Sequence, residues 1–187
     1  MTERHIPILP ESDQIIASRN KWTYTGQTRP EFAEEPEEGQ RSVWDFPRPP
    51  KIEPVEAVLR VFNEKILIAE TQRGIRVLET AGAPTYYFPP GDVEDSLVEF
   101  GEMASICEWK GVAQSVHVQG IQDAGWRYIR MFKDFAELHE WPSFYPKKLL
   151  CFVDTELVTH QPGGYYGGWV TSDLAGPIKG AAGSESW

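Results

Sequence analysis

The run Ser105-Ile106-Cys107-Glu108-Trp109-Lys110-Gly111 puts a thiol, a carboxylate, an indole and an ammonium at consecutive positions, closed by a glycine. A thiolate is a strong nucleophile, and a nearby ammonium favours the ionised form. Cys107, as nucleophile or redox thiol, and Lys110, as its activator, are therefore the candidate catalytic pair, if the loop lets the lysine fold back. The same residues fit a plainer role, with Cys107 packing as a small hydrophobe and Lys110 binding loop carbonyls. No histidine is an obvious base: His117 lies ten residues on, His139 falls on an expected helix, and His160 precedes a glycine-rich loop.

Aromatic residues form the second constellation. Tyr87, Phe88, Trp109, Trp126, Tyr128, Tyr145 and Trp169 could wall one pocket with flat apolar surfaces and polar tips, with Asp92 or Glu108 supplying counter-charge to a planar or cationic ligand. Tyr86 and Phe144 belong to the same set. The competing reading packs about half of these rings into the core of a small β domain. The run Gly163-Gly164-Tyr165-Tyr166-Gly167-Gly168 could offer amides to an anion, but it lacks the Gly-Lys-Ser/Thr ending of a phosphate loop and reads as a tight turn. Cys107 and Cys151 stand too far apart for the close ligand pairs of structural zinc, so neither metal nor cofactor is expected.

Composition bounds the partners. A formal net charge of −10 over 187 residues excludes a nucleic-acid backbone as the expected partner. No apolar run is long enough to span a bilayer, and Met1-Thr2-Glu3-Arg4-His5 lacks the apolar stretch of a secretion signal. With two cysteines read as free thiols, a cytoplasmic protein is expected. Seven of the 15 prolines fall within the first 50 residues, beside the acidic run Glu34-Glu35-Pro36-Glu37-Glu38. Residues 1–50 are thus expected as a proline-rich acidic extended arm, with Trp22, Trp44 and Phe46 able to dock it, and 51–187 as the folded domain with a glycine-rich tail.

The elements that must position the candidates are mostly strands. Residues 55–62 and Ile66–Ala69 read as a hairpin turning at Asn63-Glu64-Lys65; 75–79, 85–88, 112–118, 125–128, 143–146 and 149–153 read as further strands. Asp92 is placed to cap a helical turn over 93–97, and Asp134-Phe135-Ala136-Glu137 resembles a capping box opening a helix to about Glu140, with Phe135 and Leu138 buried. The run around Cys107 reads as a loop. The fold class expected is mainly β, a compact antiparallel domain with one or two short helices.

Five motifs occur in a fixed order: Tyr86-Tyr87-Phe88-Pro89 with Asp92-Val93, Cys107-Glu108-Trp109-Lys110-Gly111, Trp126 with Tyr128, Phe144-Tyr145, and Gly163 through Trp169. Together they resemble the domain-of-unknown-function 427 family, sometimes labelled nucleotidyltransferase-like, in a longer form similar to cyanobacterial or plant-type members. The resemblance covers most of residues 55–170. It implies a compact β-rich fold related to the β-tent class and self-association, and it implies no established reaction. Two positions depart from the family pattern: Glu108-Trp109 replaces an apolar or aromatic pair, and Gly125 stands where alanine is common. The nucleotidyltransferase label lacks support in the residues, since no Gly-Ser precedes paired aspartates able to hold two metal ions. The leading expectation is a small-molecule-binding domain around Cys107 and Lys110. A thiol enzyme, or a structural module that mediates homo-oligomerisation, stands as the alternative.

Overall fold

The computed structural model describes residues 6–187; the first five positions, read above for a secretion signal, lie outside them. The expected class is the one observed. Three antiparallel sheets make up the body. The longest has four strands, in the order Pro142–Phe144, Ile121–Met131, Gly111–Val118, Val98–Cys107. A second four-stranded sheet runs Glu156–Leu157, Leu150–Val153, Leu59–Asn63, Ile66–Thr71. The third has three strands, Lys51–Pro54, Ile75–Leu78 and Thr85–Tyr87. Two short pairs complete the strands: Thr159–His160 with Trp169–Val170, antiparallel, and Arg41–Ser42 with Leu174–Ala175, parallel.

Turn chemistry sets the register. Val118 pairs with Ile121, so Gln119 and Gly120 form a two-residue hairpin loop, and both have positive φ, 47° and 84°. That is the conformation whose twist matches antiparallel strands. The expected hairpin at residue 64 is also present, with Glu64 at φ 52°.

The run around Cys107 differs from the expected loop. Val98–Cys107 is a ten-residue strand, Cys107 pairs with Gly111, and Glu108-Trp109-Lys110 forms the turn between them. Register shifts between Phe100 and Met103 and between Met103 and Ser105 break the alternation that would have marked the strand. Gly111 has φ +131°, and a Cβ there would sit 2.1 Å from the Arg130 carbonyl oxygen. Only glycine lets this turn close against the neighbouring strand.

Two expected helices also change. Asp92 caps nothing: its carboxylate accepts from Thr71 Oγ1 at 2.6 Å and Arg73 Nη2 at 2.5 Å. Those partners hold it outside the 3-10 turn Asp95–Leu97. The capping box at Asp134 is absent too. A 3-10 helix spans Lys133–Leu138 without a side-chain cap, although it buries Phe135 and Leu138 as anticipated. A segment this short cannot repay α-helix nucleation and tightens instead.

Burial divides into three clusters. One lies between the second sheet and the long sheet, around Leu59, Val61, Ile68, Phe88, Val116, Phe144, Cys151 and Trp169. Another gathers Tyr87, Trp109, Ala113, Trp126, Tyr128 and Met131. The third joins residues near both ends of the chain: Val43, Trp44, Phe46, Leu78 and Ala81, with Tyr24, Ile178 and Trp187 against them. Within residues 6–50 lies the helix Asp13–Arg19, whose N-cap Ser12 accepts from Ile15 N at 3.3 Å. Pro7 and Leu9 bond the backbone of Met131. No helix among the described residues is long and apolar enough to cross a membrane.

Gly111→Ala is expected to lower stability by about 3 kcal/mol, combining a disfavoured φ with a backbone clash. Urea unfolding followed by circular dichroism measures it; a midpoint equal to wild type would contradict this close approach of turn and strand.

Candidate functional site

Strand alternation decides which aromatics reach a cavity. Tyr86, Tyr87 and Phe88 are consecutive, so their side chains point to alternate faces. Tyr86 and Phe88 enter the first cluster, where Tyr86 stacks on Trp169 at 4.9 Å and Phe88 meets Phe144 edge-on at 5.6 Å. Tyr87 turns the other way, towards Trp126 and Tyr128, with ring centroids 6.1 and 6.4 Å away. Trp126 in turn lies 4.7 Å from Tyr145.

These rings form one side of a cavity of about 530 Å³. Cys107, Glu108 and Lys110 from the hairpin line it, as do Val77 and Glu79 from the third sheet. The glycine-rich loop, Trp22, Gln161 and Lys179 complete the lining. Close approach explains the glycine at position 167: a Cβ there would fall 2.2 Å from the Trp126 ring.

Several sequence-predicted site residues therefore meet, and others do not. Cys107, Lys110, Tyr87, Glu108, Trp126, Tyr128 and Tyr145 surround the same space. Phe88 and Trp169 are fully buried in the first cluster, and Trp169 Nε1 donates to the Phe144 carbonyl at 2.9 Å. Trp109 is buried beneath the Arg19 guanidinium at 5.2 Å, outside the cavity lining. Asp92 is committed to Thr71 and Arg73. His117, His139 and His160 are absent from the lining, and His117 Nδ1 accepts from Asp123 N at 2.9 Å.

A charged cluster beside the cavity centres on Glu79, which motif reading missed. Its Oε2 accepts from Lys110 Nζ at 3.4 Å. Its Oε1 lies 3.4 Å from Arg48 Nη2 and 3.8 Å from Lys179 Nζ. Burial alone would raise the Glu79 carboxyl, but the three cations hold it below its ordinary range. Burial opposes the charge on Lys110 as well, yet Cys107, Glu79 and Tyr87 raise its affinity for the proton. Lys179 is lowered, first by burial and further by Arg48 and Lys110, against the pull of Glu79. Arg48 is anchored by donating to the carbonyls of Tyr24 at 2.8 Å and Thr80 at 3.0 Å.

Glu108, the acid beside the thiol, accepts from Trp22 Nε1 at 2.8 Å. The Trp22 ring also meets two cations, the Arg48 guanidinium at 4.2 Å and the Lys179 ammonium at 4.4 Å. Cys107 is half-buried and unbridged, and it lines the cavity together with Lys110 and Tyr128. Burial keeps the Tyr87 and Tyr128 phenols protonated and lifts Tyr145 to about 12.

Residues 51–159 match the family described as a domain of unknown function, DUF427. The chain belongs to that family. No curated protein matches it. The DUF427 match contains Glu79, Tyr87, Cys107, Lys110, Trp126, Tyr128 and Tyr145, and it excludes Trp22, Arg48, Gln161, Tyr166 and Lys179. The cavity is thus shared between the DUF427 segment and flanking residues. Only the long glycine run and the lone Trp22 gave any local hint of the flanking contribution. Lys179 gave none.

Glu79→Gln should destabilise the fold by about 3 kcal/mol, because three buried cations lose their shared carboxylate. The pH dependence has a definite sign. A carboxyl held below its ordinary 4.5 stabilises fully above that pH and loses its contribution as pH falls through the lower folded value. The variant should therefore lose less stability than wild type between neutral and acid pH. Parallel acid-unfolding curves would contradict the assigned pairing.

Proposed function

We propose that this DUF427 protein binds a small planar organic molecule in the cavity between Tyr87, Trp126, Tyr128 and Tyr145. The observation that carries the reading is the convergence of residues from separate motifs on one space of about 530 Å³, with aromatic rings and ion-paired side chains together in its lining. Ligand sites commonly have this form: a concave apolar wall with few, fixed polar groups. The interlocked Trp126 and Tyr145 rings offer a flat contact at low entropic cost, since each is already held in place by neighbours.

Cinnamamide, an uncharged planar probe of modest size, is expected to bind with a Kd on the order of 1 mM or tighter, from the efficiency of small ligands. Isothermal calorimetry on the full chain measures it. Trp126→Ala should weaken binding at least tenfold, about the worth of one lost aromatic contact. Ala113→Phe, which fills the cavity, should do the same while circular dichroism stays native. Absence of saturable binding to wild type, or equal binding to all three proteins, would contradict the reading.

A second reading rests on a separate observation: Cys107 and Lys110 line the same cavity at the turn of one hairpin. In it the thiol is the nucleophile or redox group and Lys110 its activator. Cys151 supplies an internal control, because it is buried and its thiol is pushed up by that burial. Iodoacetamide labelling resolved by mass spectrometry should modify Cys107 before Cys151. A rate that falls at least tenfold in Lys110→Met supports activation. A rate unchanged in that variant makes Cys107 a wall of the binding cavity.

A further inference from the structure

The ammonium of Lys179 is unusually placed. Its side chain is only 4% exposed, and its nearest carboxylate oxygen, on Glu79, is 3.8 Å away, beyond hydrogen-bond distance. Its other close neighbours are ring faces, Trp22 at 4.4 Å and Tyr166 at 4.8 Å. A ring face attracts the charge but leaves the three N–H donors without acceptors. Lys110 resembles it: the side chain is 10% exposed, with one long contact of 3.4 Å to the same carboxylate. Both lysines line the cavity.

The local charge does not balance. Arg48, Lys110 and Lys179 surround Glu79, and the next carboxylate, Glu108, already accepts from Trp22. Three cations thus share the one carboxylate of Glu79 beside the cavity, and Glu108 is engaged by the indole. Burying an unmatched cation is costly, and a group that supplies both charge and acceptors relieves that cost.

We infer that Lys110 and Lys179 form a subsite for a single anionic group, so that the ligand is a planar acid whose carboxylate-like end lies between the two ammonium groups. The inference rests on the cavity-binding reading and adds to it the charge of the ligand. Two backbone links fix the subsite: Lys179 N donates to the Ala81 carbonyl at 2.8 Å, and the Lys179 carbonyl accepts from Gln161 Nε2 at 3.0 Å. Gln161 in turn accepts from Ala83 N at 3.1 Å, so the tail is laced to the loop that precedes Tyr87. Lys179 lies outside the residues matched to DUF427, so half of the anion subsite is supplied by the C-terminal extension of this chain.

The test compares cinnamate with cinnamamide, which share a ring and differ in charge, by calorimetry on the full chain. Cinnamate is expected to bind at least tenfold tighter, the usual worth of a buried charge-assisted hydrogen bond. In Lys179→Met the preference for cinnamate over cinnamamide should fall below about threefold; Lys179→Arg should retain most of it. A measurement on wild type alone guards against misfolding of the variants. Raising NaCl from about 20 mM to about 500 mM should weaken cinnamate and leave cinnamamide unchanged, provided the anion meets cations in the site. Equal affinity for the two probes, with both weakened by Trp126→Ala, would overturn the anion subsite and keep the cavity. A full preference surviving in Lys179→Met would also overturn it. Binding of neither probe to wild type would end both readings.

Discussion

One carboxylate ties together parts of the chain that are far apart in sequence. Glu79 stands at the end of a strand in the third sheet and meets Arg48 from the N-terminal region, Lys110 from the central hairpin and Lys179 from the tail. Each of these cations is held by other means as well. Arg48 is bound by backbone carbonyls, Lys110 by the turn closing on Gly111, and Lys179 by its links to Ala81 and Gln161. Pairing at the edge of a cavity, where desolvation is partial, lets one acid organise several bases that would be costly to bury alone. The cavity's charge and the seating of both flanking segments follow from this arrangement.

Backbone periodicity makes the second partition. Because Tyr87 alternates with Tyr86 and Phe88, one strand feeds two different clusters, and the rings of the five motifs divide between core and cavity. Trp169 and Phe144 complete the core side, stiffening the wall from behind through the indole hydrogen bond. On the cavity side, glycine at 167 lets the tail approach the Trp126 ring more closely than any side chain would permit. Residues that share a motif therefore serve different physical ends.

Much of the fold was legible because strand alternation and turn residues are local signals. The hairpin at Glu64 and the strands 75–78, 85–87 and 111–118 follow from them. The strand ending at Cys107 was hidden by bulges that disrupt its alternation, and Asp92 was misread because its partners, Thr71 and Arg73, lie about twenty residues upstream. Among the candidate site residues, Tyr87, Cys107, Lys110, Trp126 and Tyr145 stood out by type. Glu79 and Lys179 did not, since an ion pair spanning about 100 positions leaves no pattern in either local sequence. Trp22 was visible as a large aromatic in a polar region, but its cation partners were not.

A crystal structure of the full chain soaked with cinnamate tests the central claim most directly. The account predicts the phenyl ring among Tyr87, Trp126 and Tyr145, with the carboxylate within hydrogen-bond distance of Lys110 and Lys179. Density for the probe elsewhere, or a ring seated in the cavity with its carboxylate turned to solvent, would contradict it.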